Sequence, residues 1–267
     1  MILYLIRHGQ SANNLLAEEV RREFGEFGPE AHDAYMRQRV AEPPLTETGE
    51  AQAEELGAYL RDVRPKHRAG YEDPPDEESV QMGAGNWLGI THLYCSPMLR
   101  TLQTARPVAK ALSLSPSVWL DIHEHGGVFE RAGAEAEAVG FPGLCRSEMA
   151  ELFPEYRVDG VGEEGWWTGA EEDRPACDAR AVRVAQRLHE MAEEMPDDRI
   201  AAVSHGTFLD SLLKALLGRL PGTDFHFNHY NTAITRVDFV RSHADGGRFV
   251  VVRYTNRVDH LTPELIT

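Results

Sequence analysis

Cysteine is scarce in this chain: Cys95, Cys145 and Cys177 are odd in number, widely spaced and contain no CxxC pair. That excludes a disulfide scaffold and points to reduced thiols and a cytoplasmic location. Long apolar runs are also missing, and none approaches the ~20 residues of a membrane span. The first residues, Met1 to Ile6, read as a core strand rather than the apolar stretch of a leader. Positive charge is in short supply, with 27 Lys and Arg against 43 Asp and Glu and a net charge of −16. An excess of that sign argues against a nucleic-acid or anionic-membrane partner, either of which asks for a basic face. A small anionic substrate stays open, because a few arginines gathered in a cleft can set the local potential. Internal repeats and low-complexity tracts are absent as well.

What is present is an alternation of short apolar strands with helical periods, in a chain of 267 residues that is 42% hydrophobic. This is the pattern of a layered α/β domain. The first strand runs straight into Arg7-His8-Gly9-Gln10-Ser11. A second, Arg199 to Val203, runs into Ser204-His205-Gly206-Thr207. In open α/β sheets ligands bind outside the carboxyl ends of the strands, where both of these junctions fall. An imidazole can attack phosphorus while a neighbouring guanidinium holds two phosphate oxygens. Gly9 permits a close turn, after which backbone amides can point at an anion. Asn14 lies on the same loop.

Between these junctions, Ala17 to Pro44 is polar and charged, either a solvated helical excursion or a functional one. Thr46 is the expected N-cap of a helix whose buried face is Ala53, Leu56, Leu60 and Val63. Arg64 to Gly89 reads as a surface loop. Ile90 to Cys95 is a strand, followed by a helix with Met98, Leu102, Ala105, Ala109 and Leu112 on one face. Arg100 falls in the first turn of that helix, an unfavourable place for a cation on dipole grounds. Either an anionic partner lies nearby, or Arg100 is exposed or salt-bridged. Val118 to Leu120 is a further short strand.

Residues from about 125 to 175 form the least regular stretch, carrying Phe141, Phe153, Trp166 and Trp167, and read as a lid or cap. A helix with Ala181, Ala185, Leu188, Ala192 and Met195 on its face follows. After the second His-Gly junction, Phe208 to Leu217 reads as a buried helix ended by Gly218 and Pro221. Ala233 to Val240 and Arg248 to Tyr254 close the chain as paired strands joined through Asp245-Gly246-Gly247. Cys95 reads as a buried small hydrophobe.

Four ordered segments carry a family resemblance: Arg7 to Ser11 with Asn14, Leu45-Thr46-Glu47-Thr48-Gly49, Ser96 to Ala105, and Ser204-His205-Gly206. In these the chain resembles the histidine phosphatase superfamily, the phosphoglycerate mutase-like proteins. The resemblance implies a single domain over residues 1–267, a three-layer α/β/α sandwich with a mostly parallel central sheet and an irregular inserted cap at about 125–175. It implies that His8 is a nucleophile forming a phosphohistidine, with Arg7, Arg100, His205 and Asn14 around the phosphoryl group. The second nitrogen of His8 is expected to donate to a backbone carbonyl. A glutamate after the third strand serves the family as proton donor. Glu124 is the matching residue, with Asp121 and Glu130 as rivals.

The implied activity is that of a histidine acid phosphatase-like phosphomonoesterase acting on a small phosphorylated substrate, with no cofactor and no metal. His123 and His125 flank Glu124 in an H-x-H pattern, but with His226 and His229 they match no standard zinc spacing, and a polar wall around the substrate explains His123 and His125 at least as well. His226, His229 and Asn231 are candidates for structural roles. The alternatives are a phosphoglycerate mutase-type isomerase and a phosphate-binding protein without turnover. The mutases carry Glu-Arg-His-Tyr-Gly at the acid and a paired-arginine site. This chain has His-Glu-His-Gly-Gly there, and its one Arg-Arg pair, Arg21-Arg22, does not match. Arg131 and Arg146 either bind a second anionic group or stand exposed, and Trp166 and Trp167 either stack on substrate or bury against the cap base. Substrate identity and oligomeric state are not legible.

Overall fold

The computed structural model describes residues 1–63, 86–222, 224–242 and 246–267. Most of the expected surface loop at 64–89, and Asp245 of the expected final turn, lie outside these residues. Six strands form the central sheet: β1 (Ile2–Arg7), β2 (His92–Cys95), β3 (Ser117–Val118), β6 (Arg199–Ser204), β7 (Ile234–Arg241) and β8 (Arg248–Arg257). Their order is β3-β2-β6-β1-β7-β8. Strands β3, β2, β6 and β1 pair in parallel, and β7 pairs antiparallel with both β1 and β8. A separate two-stranded ribbon joins β4 (Phe129–Glu130) to β5 (Val139–Gly140).

The helices among the described residues are α1 (Ala12–Phe24), α2 (Pro29–Gln38), α3 (Glu47–Asp62), α4 (Leu99–Leu112), α5 (Arg146–Leu152), α6 (Arg174–Glu194) and α7 (Gly206–Leu216). None of them is long and apolar enough to cross a membrane. Strand β1 shows why the layers form. Alternate side chains of a strand leave opposite faces, so Tyr4 and Ile6 pack with Leu56, Leu60, Leu102 and Val108 of α3 and α4. Leu3 and Leu5 pack on the other side with Val184 and Leu188 of α6 and Leu209 and Leu212 of α7. The result is the expected α/β/α sandwich. Thr46 caps α3 by accepting from the Gly49 amide at 3.1 Å, as the sequence predicts.

Two elements depart from expectation. The strand expected at Val118 to Leu120 is shorter, because the chain turns into a 3-10 helix at Leu120–Ile122. That turn brings the Ile122 carbonyl to the Ser204 hydroxyl, which donates to it at 2.7 Å. The polar excursion is docked rather than merely solvated. Asp33 Oδ1 accepts from the Ala134 amide at 2.8 Å, Arg37 Nη1 donates to the Ala132 carbonyl at 2.8 Å, and Arg39 Nη1 donates to the Phe129 carbonyl at 2.5 Å. Helix α2 and Arg39 just after it are therefore tied to the 129–134 segment.

Sheet order places the site. Strand β6, formed late in the chain, lies beside β1, with Arg7 opposite Ser204 in register. The His8 amide donates to the Ser204 carbonyl at 2.9 Å. Residues nearly 200 positions apart thus leave neighbouring strands at the same edge.

Candidate active site

His8 is 3% exposed and lies with its ring centroid 5.1 Å from that of His205. Its Nδ1 is 2.6 Å from the Gly9 carbonyl, which assigns the proton to Nδ1 and leaves Nε2 unprotonated. Arg100 Nε donates to that Nε2 at 3.2 Å. Burial, then the charges of Arg100 and Arg7, hold the His8 pKa well below the usual imidazole range, against the opposing pull of the Gly9 carbonyl. The imidazole is therefore neutral, with a lone pair directed at a guanidinium.

Arg100 is 8% exposed, in the first turn of α4. The dipole conflict noted in the sequence is met by an anion from elsewhere in the chain. Glu42 Oε2 accepts from the Leu99 amide at 2.8 Å, and its charge pulls against the burial that lowers the Arg100 pKa. Burial pushes the Glu42 pKa up, while the Leu99 amide and Arg100 draw it down. Arg7 donates through Nη1 to the His229 carbonyl at 2.6 Å and keeps a buried Nε without a partner. Burial lowers its pKa as well, opposed first by Glu124.

His205 is fully buried, and Ser96 Oγ lies 2.7 Å from its Nε2. Its Nδ1 is buried without a partner, and burial together with Arg100 and His8 holds its pKa well below the usual value. Asn14 closes a capping box on α1, its Oδ1 accepting from the Ser11 amide and hydroxyl at 3.1 Å each. The Asn231 Nδ2 also reaches Asn14 Oδ1 at 3.3 Å, and the same Nδ2 donates to the His8 carbonyl at 2.9 Å. With Oδ1 so occupied, the Asn14 amide group presents its Nδ2 donors.

The backbone amides after His8 do not point at an anion, contrary to expectation. Gly9 N donates to Thr104 Oγ1 at 3.0 Å, Gln10 N to Gln52 Oε1 at 2.7 Å and Ser11 N to Asn14 Oδ1. Those amides are already paired within the chain and leave side chains as the free donors beside His8. Gly9 is needed for close approach: a Cβ on it would lie 2.6 Å from the Gly49 carbonyl oxygen.

Of the three candidate acids, Glu124 acts electrostatically on both Arg7 and Arg100. Its carboxylate accepts from the His125 and Phe208 amides at 2.9 Å each and from the Thr207 amide at 3.3 Å. The last two are first-turn amides of α7, where a helix favours an anion. Asp121 is exposed, and Glu130 Oε1 accepts from the Ala41 amide at 3.1 Å.

The arginines expected to serve a cap, Arg131 and Arg146, are committed within the 125–175 segment. Arg131 Nε donates to Glu171 at 2.9 Å and its Nη1 to the Ala134 and Ala136 carbonyls. Arg146 donates to the Val161 carbonyl at 2.8 Å and stays half exposed. Trp166 is buried in the core, and both tryptophans pack on His123, with centroids 5.3 and 5.0 Å from its ring. Burial, then Arg180, lowers the His123 pKa to about 4. Among the described residues no cluster of His, Cys, Asp and Glu is placed to hold a metal ion. His229 bonds to Thr235 Oγ1 at 2.9 Å, and His226 to Asp210 at 3.2 Å.

Sequence reasoning missed Glu42, Gln52, Thr104 and Arg180 as supports of the site. Thr104 stands inside a quoted motif, but nothing local marks the other three.

Fold and site together define an α/β sandwich with two histidines and two arginines gathered at the carboxyl edge of its parallel strands. The chain belongs to the histidine phosphatase superfamily (branch 1), whose family model matches residues 3–71 and 84–256. It is 27% identical over 267 residues to a probable phosphoglycerate mutase GpmB of Salmonella typhi, covering 98% of this chain and 96% of that one. It is 26% identical over 241 residues to a protein of the same name from Erwinia tasmaniensis, covering 90% and 86%. Among solved structures, a putative alpha-ribazole-5'-P phosphatase from Escherichia coli is similar, with a TM-score of 0.55, 18% identity and 96% of each chain covered. A phosphoserine phosphatase variant from Entamoeba histolytica, in complex with phosphoserine, matches with a TM-score of 0.52 and 20% identity over 98% and 99% of the chains.

Proposed function

We propose that this protein is a phosphomonoester hydrolase that works through a phosphohistidine on His8. The observation that carries the reading is the state of that residue: a buried, neutral imidazole whose Nδ1 is tied to the Gly9 carbonyl while Nε2 keeps its lone pair. An incoming phosphoryl group displaces the Arg100 Nε contact, and Nε2 attacks phosphorus in line with the leaving oxygen. The P–N bond forms as the P–O bond breaks, and the departing oxygen takes its electron pair and a proton from the Glu124 carboxyl. Water then attacks the phosphohistidine and gives a proton to Glu124, and the P–N pair returns to Nε2.

Charge on the equatorial oxygens is met by Arg7 and Arg100, by the Asn14 Nδ2 donors and by His205. With the Ser96 hydroxyl donating to Nε2, His205 carries its proton on the otherwise unpartnered Nδ1. Such preorganised donors are the main source of rate in phosphoryl transfer. Residues of about 125–175, with α2 docked against them, act as the cap that selects the ester. The three free thiols suit a reducing, cytoplasmic setting.

A hydrolase is favoured over a mutase by the commitment of Arg131 and Arg146 within their own segment, which leaves neither as half of a carboxylate-binding pair. The test is phosphate release from a panel of phosphomonoesters with a chelator present, alongside 3-phosphoglycerate assayed for isomerisation. We expect chelator-resistant release that falls at least ~10³-fold in His8→Ala with the fold retained. Interconversion of phosphoglycerates without release would assign a mutase instead.

A further inference from the structure

We propose that Arg180, held by Glu172, is the positioning residue for Glu124. The inference rests on the hydrolase reading above and deepens it. Arg180 sits on α6 and is 2% exposed. Its Nη1 donates to the Asp121 carbonyl at 2.7 Å and to the His123 carbonyl at 2.9 Å. Its Nε and Nη2 form a fork on Glu172, at 2.9 Å to Oε1 and 2.6 Å to Oε2. Nη2 also reaches Cys177 Sγ at 3.7 Å. These contacts use the five N–H groups of a guanidinium, a set that an ammonium with three donors cannot reproduce.

The targets of these contacts surround one carboxylate. Asp121 and His123 supply the peptide groups that lead into Glu124. The guanidinium carbon lies 4.4 Å from the centroid of the Phe208 ring, and the Phe208 amide donates to Glu124. Glu172 binds the far side of the same loop, its amide donating to the Gly126 carbonyl at 3.0 Å. One buried cation thus fixes the segment before Glu124, the helix turn that receives its carboxylate and, through Glu172, the segment after it. A buried ion pair is weak support for stability, since desolvation offsets most of its attraction. Placement of the proton donor explains the pair better, because a misplacement of about 1 Å can cost ~10²-fold in rate.

A displaced proton donor has a signature that general loosening lacks: it harms esters in proportion to how much their leaving group needs a proton. The experiment measures kcat/KM for the full chain against phosphate esters ranging from 4-nitrophenol to alkyl alcohols. It compares the wild type with Arg180→Lys, Glu172→Gln and Glu124→Gln, with thermal unfolding recorded for each. We expect Arg180→Lys and Glu172→Gln to lose at least ~10-fold more activity on alkyl than on nitrophenyl esters, in the direction of Glu124→Gln. On the Glu124→Gln background, Arg180→Lys should add less than ~2-fold. Glu172→Gln keeps the volume and one hydrogen bond to Arg180, so it carries the test if Arg180→Lys does not fold. Equal losses across all leaving groups in folded variants, or no loss, overturn the positioning role while the hydrolase reading stands. A wild type that releases phosphate from none of these esters overturns the hydrolase reading and this inference with it.

Discussion

At the residue scale, His8 is prepared by its neighbours. An exposed histidine titrates near pH 6.5, whereas here burial and two guanidinium groups keep the ring neutral far below that. On the proposed mechanism the attacking lone pair is therefore not lost to protonation on mild acidification of the free protein. The expected outcome is a kcat/KM profile, which reports free-enzyme pKa values, with no acid limb attributable to His8 between pH 6 and 7. If Asn14 donates to the phosphoryl group as proposed, Asn14→Asp, which replaces its donors by a second acceptor, should lower kcat/KM by ~10-fold or more. The thiols sort by the same logic. Burial pushes Cys95 far up and Cys177 up to about 12, while Cys145 is partly exposed. Titration of the native chain with a disulfide reagent should modify Cys145 quickly and release the other two only in denaturant. Cys95 as a small hydrophobe was legible from its place in a strand. The hydrogen bond from His8 Nδ1 to a backbone carbonyl was also anticipated.

Elements meet at this site through close backbone contact as well as through side chains. The loop after β1 lies against the first turn of α3, where Gln10 accepts from the Thr46 amide at 2.9 Å and Thr46 Oγ1 donates to Gln10 Oε1 at 2.7 Å. A Cβ on Gly49 would collide with the Gln10 carbonyl, and that contact is backbone on both sides. Gly49→Ala should destabilise the fold by about 1–3 kcal/mol despite the better helix propensity of alanine. It should also lower kcat/KM, because the shift falls on the residues adjoining His8. Chemical denaturation and steady-state rates check the two parts separately. The Leu45 to Gly49 segment and Gln10 both stand in recognisable segments of the sequence, but nothing there says that they are partners. The α7 start shows the same division. His205-Gly206 marks a strand-to-helix junction, yet the carboxylate that fills the helix turn arrives from Glu124, some 80 positions earlier.

Across the whole molecule, five buried histidines share one thermodynamic consequence. His8 and His205 have pKa values held well below the usual range, and His123, His229 and His260 are lowered to about 4, with burial as the largest cause in each. In the unfolded chain these rings take up protons near pH 6.5. Below that pH unfolding therefore binds protons, and folding stability falls as pH falls, until each folded-state pKa is reached. The contribution of the rings is complete above about pH 6.5, and that of His123, His229 and His260 is lost by about pH 4. Glu172 and Asp210, with lowered carboxyl pKa values, act in the same direction at lower pH, and Glu42, with a raised one, acts against it. Stability measured by urea unfolding should drop by several kcal/mol between pH 7.5 and 5.5, at roughly 1 kcal/mol per buried ring. A flat profile over that window would contradict the neutral, buried state of these side chains.

The sequence by itself determined the layers and the chemical types at the sheet edge. Apolar alternation in β1 and β6, helical periods between strands, and His-Gly at two strand ends are all local patterns, so short windows of chain contain them. It did not determine how those ends are supported. Glu42 reaches the Leu99 amide, Asn231 ties His8 to Asn14, and Arg180 grips the carbonyls around Glu124. Each of these joins groups far apart in the chain, and no local periodicity encodes it. The same holds for the first two backbone amides after His8, which the motif offers to an anion and the fold instead pairs with Thr104 and Gln52. Only the tertiary structure decides them, because a buried polar group must find a partner wherever packing brings one within reach.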